Sequence, residues 1–159
     1  MNIEWDAEKY TSNFSFVHQY GSGVMELLDF SEIRTIVDLG CGNGALTEKL
    51  HDRGLSVIGI DASENLLRIA LANYPDIPFL CADAADFRLE KPVDAVFSNA
   101  GFHWIDRDRQ PAMLSCVYRA LRKGGQFVFE FGGSGNNELI REALRLEFEK
   151  RGYHYTMRF

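Results

Sequence analysis

The chain has 159 residues, of which 46% are hydrophobic and 25% are charged. This length suits one domain with one core and leaves too few residues for two. The formal net charge of -6, from 23 acidic and 17 basic residues, argues against a nucleic-acid partner. The basic residues nearest to a patch are spread along one predicted helix and its exit, and we interpret them as a solvated face: Arg107, Arg109, Arg119, Arg122 and Lys123.

The N-terminal sequence lacks the pattern of a secretory signal, and no apolar run approaches the ~20 residues of a membrane span. We therefore expect a cytoplasmic protein that does not engage a membrane. The three cysteines, Cys41, Cys81 and Cys116, are odd in number and show no metal-ligand spacing. This pattern predicts reduced thiols and neither a disulfide framework nor a metal site.

Strand-like and helix-like segments alternate along most of the chain. Five runs rich in branched and aromatic residues are the predicted strands, at residues 35–39, 56–61, 78–81, 95–99 and 126–131. Three segments between them, at residues 45–53, 65–74 and 109–121, have apolar positions three or four apart. Continuously apolar strands joined by helices predict an α/β fold with a doubly wound parallel sheet.

Several residues indicate where these elements begin and end. Ser63 is placed to cap the second helix, and Gly124 and Gly125 can supply the positive-φ residues that end the third. We predict that residues 1–33 form a helical cap and that residues 34–159 form the α/β part of the same structural domain. A last helix can start near Glu138 and carries an apolar face made of Leu139, Ile140, Ala143, Leu144 and Phe148.

A glycine-rich loop follows the first predicted strand directly and opens a helix. Its glycines, Gly40, Gly42 and Gly44, would let a ligand approach the backbone, while the helix N-terminus points amides at that ligand. A nucleotide-like ligand is the natural inference. The glycines alone do not identify it, because residues 40–45 also satisfy the dinucleotide pattern G-x-G-x-x-G/A.

Acidic residues at three successive strand ends separate the two cofactor classes. Asp61 can accept hydrogen bonds from a ribose diol in either class. Asp38, two residues before the first glycine, would repel a pyrophosphate but attract the ammonium and sulfonium of S-adenosyl-L-methionine. Asp83 is placed to accept from an adenine amino group, and the Ala84 amide could donate to the ring. Together they favour S-adenosyl-L-methionine over NAD(P).

These motifs resemble a known family. Residues 37–44 with Asp61, Asp83 and residues 121–125 resemble the class I S-adenosylmethionine-dependent methyltransferases, and residues 98–104 are similar to the strand-four motif of the trans-aconitate methyltransferase and type 11 methyltransferase domain group. The resemblance implies a Rossmann-like fold. It also implies that residues at the strand ends surround the cofactor: Asp38, Gly40, Cys41 and Gly42 contact its methionine part, Asp61 and Ala62 its ribose, and Asp83 and Ala84 its adenine. Asn99 and Ala100 would lie near the sulfonium, and Tyr10 of the N-terminal helix would close over the cofactor.

The residues and the resemblance together predict methyl transfer to a small molecule, for which a carboxylate is one candidate, with S-adenosyl-L-homocysteine as product. His103 lies beside the predicted cofactor site and could act as a base or bind an acceptor anion; the alternative is a histidine that packs next to Trp104. Phe102 and Trp104 could line an acceptor pocket or belong to the core. The alternative functions are an NAD(P)-dependent oxidoreductase and a cofactor-binding domain without transfer activity.

The end of the chain leads to a further expectation. Class I methyltransferases usually continue past strand five with a helix and a reversed hairpin, whereas this chain stops at Phe159. The C-terminal strands are therefore expected to be missing, which would leave strand five as an apolar edge. We predict either that the chain is part of a longer protein or that this edge mediates self-association.

Overall fold

The computed structural model describes residues 21–155, which form one five-stranded parallel sheet. The strand order is β3-β2-β1-β4-β5, so the chain first builds one half of the sheet and then crosses to the other. The strands are β1 Thr35–Leu39, β2 Ser56–Asp61, β3 Phe79–Cys81, β4 Val93–Asn99 and β5 Leu121–Glu130. The predicted doubly wound parallel sheet is confirmed.

Four α-helices accompany the strands in the described part of the chain. They are α1 Ala45–His51, α2 Glu64–Asn73, α3 Gln110–Ala120 and α4 Glu138–Lys150. The Ser63 hydroxyl accepts a hydrogen bond from the Leu66 amide at 3.3 Å, as expected for the cap of α2. Of the predicted cap at residues 1–33, the structure describes residues 21–33, which are helical at 21–25 and form a 3-10 helix at Phe30–Glu32. Residues 1–20 lie outside the described part of the chain. Among residues 21–155, no helix is long and apolar enough to cross a membrane.

The sheet is buried on both faces, because neighbouring residues of the central strands enter different cores. On β1, Ile36 packs into one core with Leu46 and Leu50 of α1. The next residue, Val37, packs into the other core with Met113 and the other apolar residues of α3. The central strands must therefore be apolar at successive positions, and this pattern is what predicts them from the sequence.

The start of β5 differs from the prediction. Helix α3 ends at Ala120, and the strand begins at Leu121, five residues before the predicted start. Leu121 pairs with Val93 and Gln126 with Ala95, so the residues between them form an irregularity in the strand. Gly124 has a φ of 76° there. The glycines thus shape a bulge after the helix and do not form its final turn.

Asp94 ties the amino-terminal ends of three strands together. Its Oδ2 atom accepts hydrogen bonds from the amides of Arg34 and Thr35 at 2.9 Å and from the Thr35 hydroxyl at 3.0 Å. Its Oδ1 atom accepts from Arg122 Nε at 2.6 Å. The Arg122 hydrogen bond, followed by the two amides, lowers the pKa of Asp94 below its usual 3.8. These hydrogen bonds lie at the amino-terminal ends of the strands, on the side of the sheet opposite their carboxyl ends.

Replacing Asp94 by alanine should therefore destabilise the fold. We expect a loss of about 1–3 kcal/mol in the free energy of unfolding at pH 7, because two backbone amides and a guanidinium lose their acceptor. Because the folded-state pKa is lowered, this contribution is present above about pH 4 and fades as the pH falls further. Urea unfolding across this range would measure it. The exposed Asp76→Ala variant serves as control, and equal effects of the two substitutions would contradict the assignment.

Helix α4 presents its predicted apolar face to solvent. Its apolar side chains are exposed, from 42% for Phe148 to 88% for Leu139. Intrahelical ion pairs, such as those of Arg145 with Glu142 and Glu149, run along its polar side. Periodicity therefore located the helix, but within residues 21–155 this apolar face covers no buried core.

Candidate functional site

A cleft lies at the carboxyl ends of the parallel strands, where the topology reverses between β1 and β4. Open parallel sheets commonly bind ligands at this point, because the loops there separate to opposite faces. Most of the predicted cofactor residues line the cleft: Gly40, Gly42, Asp61, Ala62, Asp83, Ala84, Asn99 and Ala100. Further lining comes from the segment after β4, through Gly101, Trp104, Ile105, Asp106 and Arg109. The cleft is therefore built from all four loops that the sequence singled out.

Three of the predicted site residues that the structure describes do not line the cleft. Asp38, at the end of β1, and Cys41, within the glycine loop, are buried. His103 is half-buried beside the cleft, next to its lining residue Trp104. Tyr10 lies outside the described residues.

The glycine loop has the conformation that its composition demands. Gly40, Gly42 and Gly44 all have positive φ, at 79°, 56° and 82°, a region that side chains rarely adopt. At Gly44 a Cβ atom would also come within 3.1 Å of Tyr74, Phe79 and other side chains. The amides of Gly40 and Cys41 donate to the Ile60 carbonyl at 2.7 and 3.1 Å, which fastens the loop to the end of β2.

Asp61 holds this loop from the neighbouring strand. Its Oδ2 atom accepts from the Gly42 amide at 2.9 Å, and its Oδ1 atom accepts from the Ser63 amide at 2.8 Å. Burial raises the pKa of Asp61, while the amides of Ser63, Gly42 and Ala62 oppose that rise. Three amides leave about one of the four acceptor sites of the carboxylate free, so Asp61 can still accept from a ligand hydroxyl in the cleft.

Asp38 lies beneath the loop as a buried acid. It is 2% exposed, and its Oδ2 atom accepts a hydrogen bond from the Thr47 hydroxyl of α1 at 2.7 Å. Burial raises its pKa to about 7, although the Thr47 hydrogen bond acts in the opposite direction and the nearby charge of Asp61 adds to the rise. Asp38 would therefore influence a ligand through its charge rather than by lining the cleft.

Asp83 is paired with an arginine that the sequence reasoning missed. Asp83 Oδ2 accepts from Arg109 Nη1 at 2.7 Å, and its Oδ1 accepts from the Ala85 amide at 2.8 Å. Burial alone would raise the pKa of Asp83, but the hydrogen bonds and the charge of Arg109 outweigh it, so that pKa is lowered. The interpretation of Arg109 as part of a solvated face is wrong, because this residue lines the cleft.

The loop after β4 forms the part of the cleft closest to the glycine loop. A Cβ atom on Gly101 would make a tight contact of 3.0 Å with Ser98 Oγ and would lie 3.9 Å from Gly40 Cα of the glycine loop. Ala100, beside it, has a φ of 54°, which is unusual for a residue with a side chain. Such backbone strain is often found at ligand sites, and here it lies at the edge of the cleft.

The aromatic residues of this loop divide between core and cleft. Phe102 is buried, and its ring lies 5.6–6.0 Å from the rings of Phe127, Phe129 and Phe131. Trp104 is 44% exposed and lines the cleft. The sequence left open whether Phe102 and Trp104 belong to the core or to an acceptor pocket. Phe102 is a core residue, and Trp104 is a cleft residue.

His103 lies between these two aromatic residues on a 3-10 turn, Phe102–Trp104. Its ring centroid is 4.9 Å from that of Trp104. Its Nδ1 atom is buried and has no hydrogen-bond partner within residues 21–155. Burial lowers the pKa of His103, and the charge of Glu130 opposes this only in part. The imidazole is therefore held neutral near neutral pH.

Comparisons with known proteins agree with this architecture. A family model described as "Methyltransferase domain" matches residues 36–125. An uncharacterised methyltransferase of Schizosaccharomyces pombe is 37% identical over 138 residues, covering 83% of this chain and 53% of the relative. A trans-aconitate 2-methyltransferase of an Acidovorax species is 34% identical over 147 residues, covering 87% of this chain and 55% of the relative.

A solved structure shares the fold. The S-adenosylmethionine dependent methyltransferase from Mesorhizobium loti is 33% identical, with a TM-score of 0.60 over 68% of this chain and 51% of that one. The chain belongs to the methyltransferase domain family, and the predicted resemblance to the class I S-adenosylmethionine-dependent methyltransferases is confirmed. The NAD(P)-dependent alternative is not favoured. The chain spans about half the length of the curated relatives it matches.

Proposed function

We propose that this cleft binds S-adenosyl-L-methionine and that the protein transfers its methyl group to a small molecule. The observation that carries the proposal is the position of three acids from successive strands: Asp61 and Asp83 line one glycine-rich cleft, and Asp38 is buried beneath its glycine loop. The cofactor has an ammonium, a ribose diol and an adenine amino group, each of which suits a carboxylate. A dinucleotide would instead bring a pyrophosphate toward Asp38.

The chemistry requires little from the protein beyond alignment. The acceptor atom attacks the methyl carbon in line, the carbon–sulfur bond breaks, and the sulfur keeps the electron pair as the neutral thioether S-adenosyl-L-homocysteine. Holding the acceptor close to the methyl and aligned with the breaking bond supplies most of the rate enhancement. The name of the Acidovorax relative supports a carboxylate acceptor, which is already ionised at neutral pH and needs no base.

We further propose that His103 serves the acceptor. Its neutral imidazole beside the cleft can accept a proton from an acceptor that must lose one. With such an acceptor, His103→Gln should lower kcat about 100-fold or more, and the wild-type rate should fall as the imidazole becomes protonated at low pH. The exposed His51→Gln variant is the matched control. Unchanged turnover and an unchanged pH profile in His103→Gln would show that the residue only packs against Trp104.

Transfer itself is tested with cofactor labelled on its methyl group, offered with a panel of small carboxylic acids, amines and hydroxyl compounds. The proposal predicts labelled product from at least one small molecule and none from DNA or RNA. Binding of the cofactor without transfer to any acceptor would support the alternative of a cofactor-binding domain. Labelling of nucleic acid alone would contradict the small-molecule acceptor.

The predicted self-association belongs to this proposal as well. Among the described residues β5 pairs only with β4, and Phe129 and Phe131 of the β5 region are exposed together with the apolar face of α4. An unpaired edge with apolar side chains favours association. Light scattering of the 159-residue chain over a range of concentrations should show a dimer or larger species, and a monomer throughout would contradict it. The cytoplasmic location stays a prediction.

A further inference from the structure

The ion pair between Arg109 and Asp83 joins two sides of the cleft. Asp83 follows β3, whereas Arg109 lies at the start of α3, after β4. The Arg109 amide donates to the Asp106 carbonyl at 2.8 Å, and its carbonyl accepts from the Met113 amide at 3.1 Å. The Asp83 carbonyl accepts from the Asp86 amide at 2.9 Å, so both ends of the ion pair stand on hydrogen-bonded backbone.

The pairing leaves the Asp83 carboxylate able to bind a ligand. Arg109 occupies one site on Oδ2, and the Ala85 amide occupies one site on Oδ1. A carboxylate offers about four acceptor sites, so two remain. Arg109, Asp83 and the neighbouring Ala84 all line the cleft, which places the remaining sites where a ligand can reach them.

The ion pair contributes little to folding in this position. The two side chains are 41% and 30% exposed, and ion pairs of this kind have a small effect on stability. Its larger effect is on the side-chain freedom of Asp83. An acid held in one orientation before the ligand arrives loses less conformational entropy on binding, so the ligand is bound more tightly.

We propose that Arg109 is a positioning residue for adenine recognition, holding the Asp83 carboxylate so that its remaining lone pairs accept the exocyclic amino group. The inference rests on the proposed function, because it requires an adenosyl cofactor in this cleft. In this role Arg109, at the start of α3, helps to select adenine over other nucleobases. Arg109 acts through Asp83 and does not itself touch the reacting atoms.

The test compares two probes on the 159-residue chain by calorimetry: S-adenosylhomocysteine and its analogue with hydrogen in place of the 6-amino group. Wild type should prefer the amino compound, and Arg109→Gln should reduce that preference about threefold or more. Arg109→Lys should restore part of it. Arg107→Gln, an exposed neighbour, is the matched control and should behave as wild type. Thermal unfolding of each variant confirms that it is folded.

A double-variant cycle shows whether Arg109 acts through Asp83. In the Asp83→Asn background, Arg109→Gln should change the affinity for neither probe. Tighter binding of S-adenosylhomocysteine by Arg109→Gln alone would show instead that the arginine obstructs the site. An unchanged preference for the 6-amino compound would show that Arg109 has no part in recognising the base. Either result overturns the inference. If wild type binds neither probe, the proposed function fails before this question arises.

Discussion

Asp61→Asn should weaken the binding of S-adenosylhomocysteine about 10- to 100-fold. Charge-assisted hydrogen bonds of a buried carboxylate are each worth about 1.5–3 kcal/mol, and the substitution removes the charge that would accept from the ribose diol. It also turns one acceptor of the Gly42 or Ser63 amide into a donor, which disturbs the glycine loop. Both effects weaken the binding of S-adenosylhomocysteine.

Isothermal calorimetry at constant salt measures this change. Glu64→Gln, a neighbouring exposed acid that does not line the cleft, is the matched control and should bind as wild type does. Urea unfolding of the ligand-free variants separates loop damage from loss of the ribose contact. An Asp61→Asn protein that binds as tightly as wild type would remove Asp61 from the cofactor site.

Cofactor affinity should rise with pH up to about 7, and Asp38→Asn should abolish most of this rise. With its pKa raised to about 7, Asp38 is largely protonated in the ligand-free protein at pH 5.5. A cationic cofactor favours the ionised acid, so binding releases a proton and becomes tighter as the pH increases. We expect about a tenfold increase between pH 5.5 and 7, before the ammonium of the ligand itself titrates near 8.

Asp38 should affect folding in the opposite direction, by lowering the free energy of unfolding as the pH rises. In the unfolded chain Asp38 would titrate at its usual 3.8, so between about pH 4 and 7 the folded state holds one proton more. The contribution of Asp38 to the free energy of unfolding therefore falls as the pH rises through this range. Asp38→Asn should be more stable than wild type at pH 8 while binding the cofactor less well. Asp76→Asn, an exposed acid, should follow wild type in both measurements, and parallel pH profiles for wild type and Asp38→Asn would contradict this role.

The sheet and most of the cleft were predictable because they depend on local sequence patterns. Buried parallel strands must be apolar throughout, and residues at their carboxyl ends meet at one edge whatever the details of packing. Asp61, Asp83 and the glycine loop could therefore be placed in one site from their spacing alone.

The sequence could not reveal features that depend on distant side chains. Arg109 and Asp83 are 26 residues apart, and nothing near Arg109 indicates that its side chain reaches back to the end of β3. Burial decided the position of Asp38, whose location before the glycines suggested direct contact with the ligand. The irregular start of β5 arises from its register with β4, which no periodicity records.

The proposal that the cleft binds S-adenosyl-L-methionine is tested most directly by calorimetry of the 159-residue chain with S-adenosylhomocysteine and NAD in parallel. S-adenosylhomocysteine should bind at one site and raise the melting temperature with increasing concentration, whereas NAD should do neither. Binding of NAD without binding of S-adenosylhomocysteine would contradict the proposal, because the three acids near the glycine loop would then accommodate a pyrophosphate.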